Sequence, residues 1–401
     1  TIHIAPGVYT EQTRIFSKEL TLIGQPGTIL RALPGMAPAT EVINRMCVLF
    51  TLNSDVVLRG LTFEGEQLGD EQEDVFLGAY LLDSGGAVED CRFTGFREKA
   101  AGQNGCAAIW VLNDLPDAPL LQMRIARNTI VDSYQGVFLQ GSPNNRSLII
   151  TVADNTISGV GPNATSAGLD GIAIGEGVMG EVVRNTISGF SYAGTGESRV
   201  APFAFGIIAI GRGFPGTVAS LEPLRIADNV LRNNQFHCNL LRADAGVVVN
   251  NTFDGTAPGV RPTGLAFSGE NVLVTDNRFS NMEKGIELFG DDPDYGTVVG
   301  TASNATLVDN GFCNVDTNYN FQPLATYDLQ STLTCPEPSL DTVQAILLSW
   351  PLAYAGYSVE SADSPDGPWA ALDATVFQRD GMNYVAVPSD GASEFFRLVK
   401  P

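Results

Sequence analysis

Six carboxylates carry the chemistry this chain can be asked to do: Asp170, Glu176, Asp244, Glu270, Asp291 and Asp292. Two carboxyl groups about 5–10 Å apart can flank a glycosidic bond, one protonating the leaving oxygen and the other activating water or attacking the sugar. A carboxylate-bound Ca2+ beside an arginine can instead acidify the proton α to a uronate carboxyl group and set up β-elimination. Arg242 and His237 stand near these acids as further catalytic candidates. Arg212, Asn239, Glu287, Lys284, Tyr192 and Tyr295 are candidates for holding substrate, and Trp110 and Tyr134 are further rings for stacking. Asp291, Asp292 and Asp294 are the candidate Ca2+ ligands, although their segment lacks the alternating spacing of a calcium loop and also reads as an Asp-Pro turn. Each candidate has a plainer role: a solvated interstrand ion pair, a packed histidine, a ring filling a loop.

Residues so far apart in sequence meet only if the chain repeats, and it does. A polar residue, then Asn, then a β-branched or aromatic pair recurs as Arg127-Asn128-Thr129-Ile130, Asp154-Asn155-Thr156-Ile157, Arg184-Asn185-Thr186-Ile187, Asp228-Asn229-Val230-Leu231, Asn250-Asn251-Thr252-Phe253, Asp276-Asn277-Arg278-Phe279 and Asp309-Asn310-Gly311-Phe312. The shortest step, from Asn229 to Asn251, is 22 residues, and longer steps are that unit plus loops. Alternating runs such as Gly136-Val137-Phe138-Leu139, bounded by Gly, Asn and Ser, predict short strands, and no stretch predicts a helix. Stacked units give an all-β solenoid with one continuous apolar column. The Asn is expected at a bend, in left-handed backbone, bonding to its counterpart one coil away. Laying Gly171, Gly206, His237, Gly264 and Gly285 at one level turns Ile172, Ile207, Cys238, Leu265 and Ile286 inward and Ala173, Ile208, Asn239, Ala266 and Glu287 outward. A slip of one residue would invert every side chain.

The opening Thr1-Ile2-His3-Ile4-Ala5-Pro6-Gly7-Val8-Tyr9-Thr10-Glu11, followed by Leu20-Thr21-Leu22-Ile23-Gly24, resembles with these repeats the right-handed parallel β-helix superfamily of pectate lyases, polygalacturonases and pectin methylesterases. The resemblance implies a right-handed parallel β-helix over 1–335 and an exported polysaccharide hydrolase or lyase working on its outer face. The activity motifs are largely missing. Asn-Thr is followed by Ile at 130, 157 and 187, no Gly-His-Gly or Arg-x-Lys occurs, and Gly290-Asp291-Asp292 matches one fragment only. A non-catalytic surface or adhesion solenoid that binds glycan is the alternative.

The charge is −22, from 45 acidic and 23 basic residues, and the only lysines are Lys18, Lys99, Lys284 and Lys400. Such a surface disfavours nucleic acid and anionic membranes, and also strongly acidic polysaccharides unless a metal ion or a local Arg cluster inverts the field; no run is long enough to span a membrane. A secreted or cell-surface monomer whose partner is a polysaccharide or cell-surface glycan is expected. No signal segment is visible at Thr1, which falls inside a rung motif, so the expectation is a leader or cap removed upstream. Of six cysteines, Cys91 with Cys106 and Cys313 with Cys335 are close enough in sequence to bridge loops, while Cys47 and Cys238 sit in apolar strands as buried thiols. A Pro-rich stretch at Cys335-Pro336-Glu337-Pro338 reads as a linker. Beyond it, Leu348-Ser349-Trp350, Tyr357-Ser358-Val359-Glu360 and Phe395-Phe396-Arg397-Leu398 resemble a small fibronectin- or immunoglobulin-like β-sandwich over 336–401.

Overall fold

The computed structural model describes residues 1–99, 105–113, 115, 117–163, 169–192, 204–210, 224–255, 262–290, 300–334, 345–351, 357–362, 364–372, 377–379, 382–388 and 395–400. The chain divides into two compact units, Thr1–Cys335 and Pro336–Pro401.

The first unit is a parallel β-helix. Each coil contributes one strand to each of three faces, and every strand pairs in parallel with the one a coil away. The first face is a sheet of twelve strands, from Ile2–Ile4 through Arg59 and Ala126 to Tyr327–Leu329. The second face carries the Thr-Ile of the repeated phrase, and its inward row aligns Phe63, Phe93, Ile130, Ile157, Ile187, Leu231, Phe253, Phe279 and Phe312 coil by coil. Rings in that row stack at 4.4 Å between Phe63 and Phe93 and at 4.8 Å between Phe253 and Phe279. The third face includes Met46–Leu52, Phe76–Leu82, Cys106–Leu112, Gln135–Gln140, Leu169–Ile174, Ala204–Ile210, Phe236–Leu241 and Thr263–Phe267. Among the described residues the only helical turn is a 3-10 turn at Gly69–Glu71.

The corner from first to second face is tight: from Arg59 onward it takes at most two residues. The second of these, usually the repeat Asn, is buried, and it bonds as expected. Asn155 donates its backbone N–H to Asn185 Oδ1 at 3.0 Å and its side-chain Nδ2–H to the same oxygen at 2.9 Å. Asn185 in turn donates to Val152 O at 2.9 Å and to Asn229 Oδ1. The left-handed backbone, however, belongs to the residue before the Asn: Asp90, Arg127, Asp154, Arg184, Asp228, Asn250, Asp276 and Asp309 all have φ between 51° and 58°. The amide needs the following extended position to aim inward, so the strained conformation falls to its exposed neighbour.

The second unit holds two three-stranded antiparallel sheets. One contains Ala345–Pro351, Phe377–Arg379 and Met382–Pro388, the other Ser358–Ala362, Ala370–Ala371 and Phe395–Val399. Trp350 and Val385 of the first sheet pack with Val359 of the second. Arg397 pairs with Glu360 at 2.5 Å and lies 4.5 Å over the Trp369 ring.

Replacing Asn185 by Ala removes the acceptor of the Asn155 N–H and the amide's bond to Val152 O in a dry interior, at a cost of about 2–4 kcal/mol. Chemical denaturation of Asn185→Ala measures this, and a loss under ~1 kcal/mol would show that the ladder does not support the coil.

Candidate functional site

The third face has loops at both margins. Residues 32–45, 65–75 and 95–105 lead from the second face into it, and 113–120 and 141–147 lead out of it to the first. Chain segments 164–168, 193–203 and 256–261 also enter it, and 211–223 and 291–299 leave it. Among the described residues, the connections 32–45, 65–75 and 141–147 thus flank a regular floor.

The floor follows the proposed overlay. Ile172, Ile207, Cys238, Leu265 and Ile286 align in one row and are wholly buried in the core. Ala173, Ile208, Asn239, Ala266 and Glu287 align in the next row, facing out. The glycine level between these rows and the strand starts has a steric cause. A Cβ on Gly171 would stand 2.5 Å from both Gly206 O and Ile187 Cγ2.

His237 occupies that same level, and this corrects its proposed catalytic role. Its ring lies inside the coil, 6.1 Å from the Phe253 ring, with Nδ1 3.3 Å from Asn234 Nδ2. The residue is fully buried, and burial pushes its pKa down to about 3, with Asp254 only partly opposing. A neutral ring walled in by the core cannot exchange protons with a substrate outside.

Asp170 starts its strand on the outward row that aligns Ala107, Gln135, Asp170, Phe205, Phe236, Thr263 and Lys284. Gln135 Nε2–H donates to Asp170 Oδ2 at 3.1 Å, while Oδ1 is buried without a partner. Burial pushes the carboxyl pKa up to about 7, against the opposing pull of the Gln135 bond and of the nearby Phe205 backbone. Lys284 Nζ and Glu287 Oε1 meet at 2.9 Å, and Asn320 Nδ2–H donates to the same oxygen at 2.7 Å. Two candidate substrate-binding residues are thus brought together, but bound to each other.

The other acids lie elsewhere. Glu176 sits in the turn Gly175-Glu176-Gly177, past the end of the Leu169–Ile174 strand; Asp170 to Ile174 alone spans roughly 13 Å, so the two acids stand at opposite ends of the strand and do not flank one glycosidic bond. Asp244 Oδ1 accepts the backbone N–H of exposed Glu270 at 2.9 Å, which ties two neighbouring coils at the far margin. Arg242 at that margin has left-handed backbone, φ 54°, and its N–H donates to Ser268 Oγ. Arg212, Asp291, Asp292, Asp294 and Tyr295 fall outside the described residues, as does the side chain of Tyr192. Among the described residues no group of three His, Cys, Asp or Glu is placed to hold a metal ion. Tyr134 is a core residue, 2% exposed, not a stacking platform.

Cys91 and Cys106 are free, not bridged. Cys91 takes the place of the ladder Asn, its N–H donating to Asn128 Oδ1 and its thiol to Glu89 O, and burial raises its pKa to about 12. Cys47 and Cys238 are buried free thiols. Cys313 is disulfide-bonded, and its proposed partner Cys335 lies outside the described residues.

Two features escaped the sequence reading: Gln135 beside Asp170, and an outward column of rings. Phe50, Tyr80, Trp110 and Phe138 align coil by coil above Ala173, with Trp110 and Phe138 centroids 4.5 Å apart. Extending the glycine overlay back to Gly136 would have found Gln135 and Phe138, the last ring of the column.

The model of the right-handed β-helix region matches residues 117–322, just over half of the chain. The chain belongs to this right-handed β-helix family. The fold is similar to that of the mannuronan C-5 epimerase AlgE6 A-module of Azotobacter vinelandii, with TM-score 0.50, 12% identity, and 84% of this chain and 90% of that one covered. The periplasmic alginate epimerase AlgG matches with TM-score 0.44, 12% identity and 82% and 79% coverage. A Paenibacillus alginate lyase matches with TM-score 0.40, 11% identity and 79% and 99% coverage. No curated protein sequence matches significantly. No helix is long and apolar enough to cross a membrane among the described residues.

Because folded His237 stays neutral while the unfolded ring takes a proton below its ordinary 6.5, the β-helix should lose stability as pH falls from 6.5 towards 3. The slope from this group is roughly 1.4 kcal/mol per pH unit. His237→Phe, which keeps a ring on Phe253, should flatten it in denaturation curves; an unchanged slope contradicts the burial.

Proposed function

We propose that this β-helix binds and acts on a polysaccharide laid along the outer face of its third sheet, with Asp170 as general acid. One observation carries the reading: a carboxyl group on the outward row, buried, with one oxygen unpaired and a pKa held near 7. A carboxyl so poised keeps its proton near neutrality and can give it to a glycosidic oxygen, as glycosidase acids do. The described connections 32–45, 65–75 and 141–147 supply material for walls. The epimerase named above acts on mannuronan; for this chain the case rests on its own residues.

Binding without turnover is the second reading. Among the described residues, Glu287 is the next carboxylate along the outward rows, four coils from Asp170 and so roughly 19 Å away. A secreted or cell-surface setting is proposed for either case, supported by the disulfide at Cys313 and the strongly acidic composition. Residues 336–401 are proposed as a separate fibronectin- or immunoglobulin-like module.

The test is a glycan panel assayed for reducing ends and for unsaturated products, with and without Ca2+. Turnover is expected to fall as pH rises through about 7, where Asp170 loses its proton. Asp170→Asn should remove roughly 100-fold or more of the rate while binding persists. Binding of a glycan with no turnover on any member favours the second reading, and turnover unchanged in Asp170→Asn removes this acid.

A further inference from the structure

Three polar atoms on the outer face of the third sheet are buried with nothing to bond: Trp110 Nε1, Asp170 Oδ1 and Asn239 Oδ1. Asp170 and Asn239 are each only 7% exposed. An unmet buried polar atom costs free energy, so each is a place where a ligand group can recover a hydrogen bond. Trp110 and Asn239 lie in one outward row, in the order Trp110, Phe138, Ala173, Ile208, Asn239, and Asp170 begins the strand that carries Ala173. Four coil steps separate the two ends of that row, roughly 19 Å. A single sugar cannot span it, whereas a chain along the solenoid axis can.

The unmet atoms are of both kinds. The indole N–H needs an acceptor, the amide oxygen needs a donor, and the carboxyl group takes either role with its protonation. A hydroxyl gives and accepts; a carboxylate only accepts. The Trp110 indole N–H apart, the side-chain donors that could meet a carboxylate here are held by the protein's own acids: Gln135 by Asp170, and Lys284 and Asn320 by Glu287. Beside the unmet atoms, half-buried Trp110 and Phe138 form an apolar pair of rings, the surface that the C–H face of a sugar covers.

We infer that this face takes a neutral, hydroxyl-rich glycan, one sugar stacked on Trp110 and Phe138 and hydroxyls meeting Asp170 and Asn239, and that it rejects polyuronates. The inference rests on the proposed function above and fixes the class of its polymer. A uronate chain would bring its carboxylates to a molecule of charge −22 whose Lys284 on this face is already paired with Glu287.

The full chain is titrated calorimetrically with neutral oligosaccharides (gluco-, manno- and xylo-) and with oligogalacturonate and oligomannuronate, all at low salt. A neutral series should bind, with affinity about tenfold weaker in Trp110→Ala and several-fold weaker in Asn239→Ala. Trp110→Phe should keep most of the affinity. Thermal unfolding monitors the fold of each variant, and Asn239→Ala, whose side-chain oxygen has no partner to lose, carries the test if Trp110→Ala does not fold. Tighter binding of either uronate overturns the inference and leaves the glycan reading standing. Binding to no glycan overturns both. Neutral binding unchanged in Trp110→Ala and Asn239→Ala overturns the placement on this face.

Discussion

Everything in the β-helix depends on one repeated hydrogen-bond arrangement at the corner between the first and second faces. A buried Asn amide receives the backbone and side-chain N–H groups of the Asn one coil before it and donates to a carbonyl of that earlier coil. The column runs from Asn128 to Asn310, and Cys91 continues it by donating its N–H to Asn128. Side chains alternate in and out along a strand, so a slip of one residue would expose the core. The ladder makes such a slip costly at every coil from Cys91 to Asn310. Outside it, the left-handed residues form their own pairs: Arg127 grips Asp90 through two bonds, and Arg184 grips Asp154 likewise. The arginines hold both carboxyls below the usual range. These exposed ion pairs add little stability singly but place opposite charges on neighbouring coils.

A corner so constrained has no room for insertions, and the chain varies elsewhere. Long connections fall on either side of the third face, whose outward rows change from rings at Phe50, Tyr80, Trp110 and Phe138 to small and polar residues at Ala173 and Asn239. Packing and chemistry are thereby separated. The inward rows keep the coil, and the outward rows of one face are left to differ from coil to coil. His237 shows what happens when a polar residue falls on the wrong side of that division: it is held neutral and sealed in.

The repeated phrase, the strand periodicity and the absence of helices made the fold legible in the sequence, because each coil must satisfy the same backbone and core requirements. The alternation after Ile172, Ile207 and Cys238 was legible for the same reason. His237 was misread because a column of glycines looks permissive, whereas the Cβ direction at that level points into the coil, at Ile187 from Gly171 and towards the Phe253 ring from His237. Cys91 and Cys106 looked pairable by spacing, but one stands in the Asn ladder and the other in a strand of the third face. Asp170 beside Gln135 depends on a pairing 35 residues apart, which only an overlay carried one coil further could show. The separation of Asp170 from Glu176 follows from strand length, a quantity that residue types alone do not give.

The account turns on Asp170 facing outward from a dry surface with one oxygen unpaired. Its side-chain carboxyl carbon, labelled with 13C and assigned by comparison with Asp170→Asn, reports this directly in an NMR titration of the full chain. A midpoint near 7 is the result predicted. A midpoint near the ordinary aspartate value of 3.8 would mean a solvated carboxylate, and would contradict both the buried outward acid and the register that puts it there.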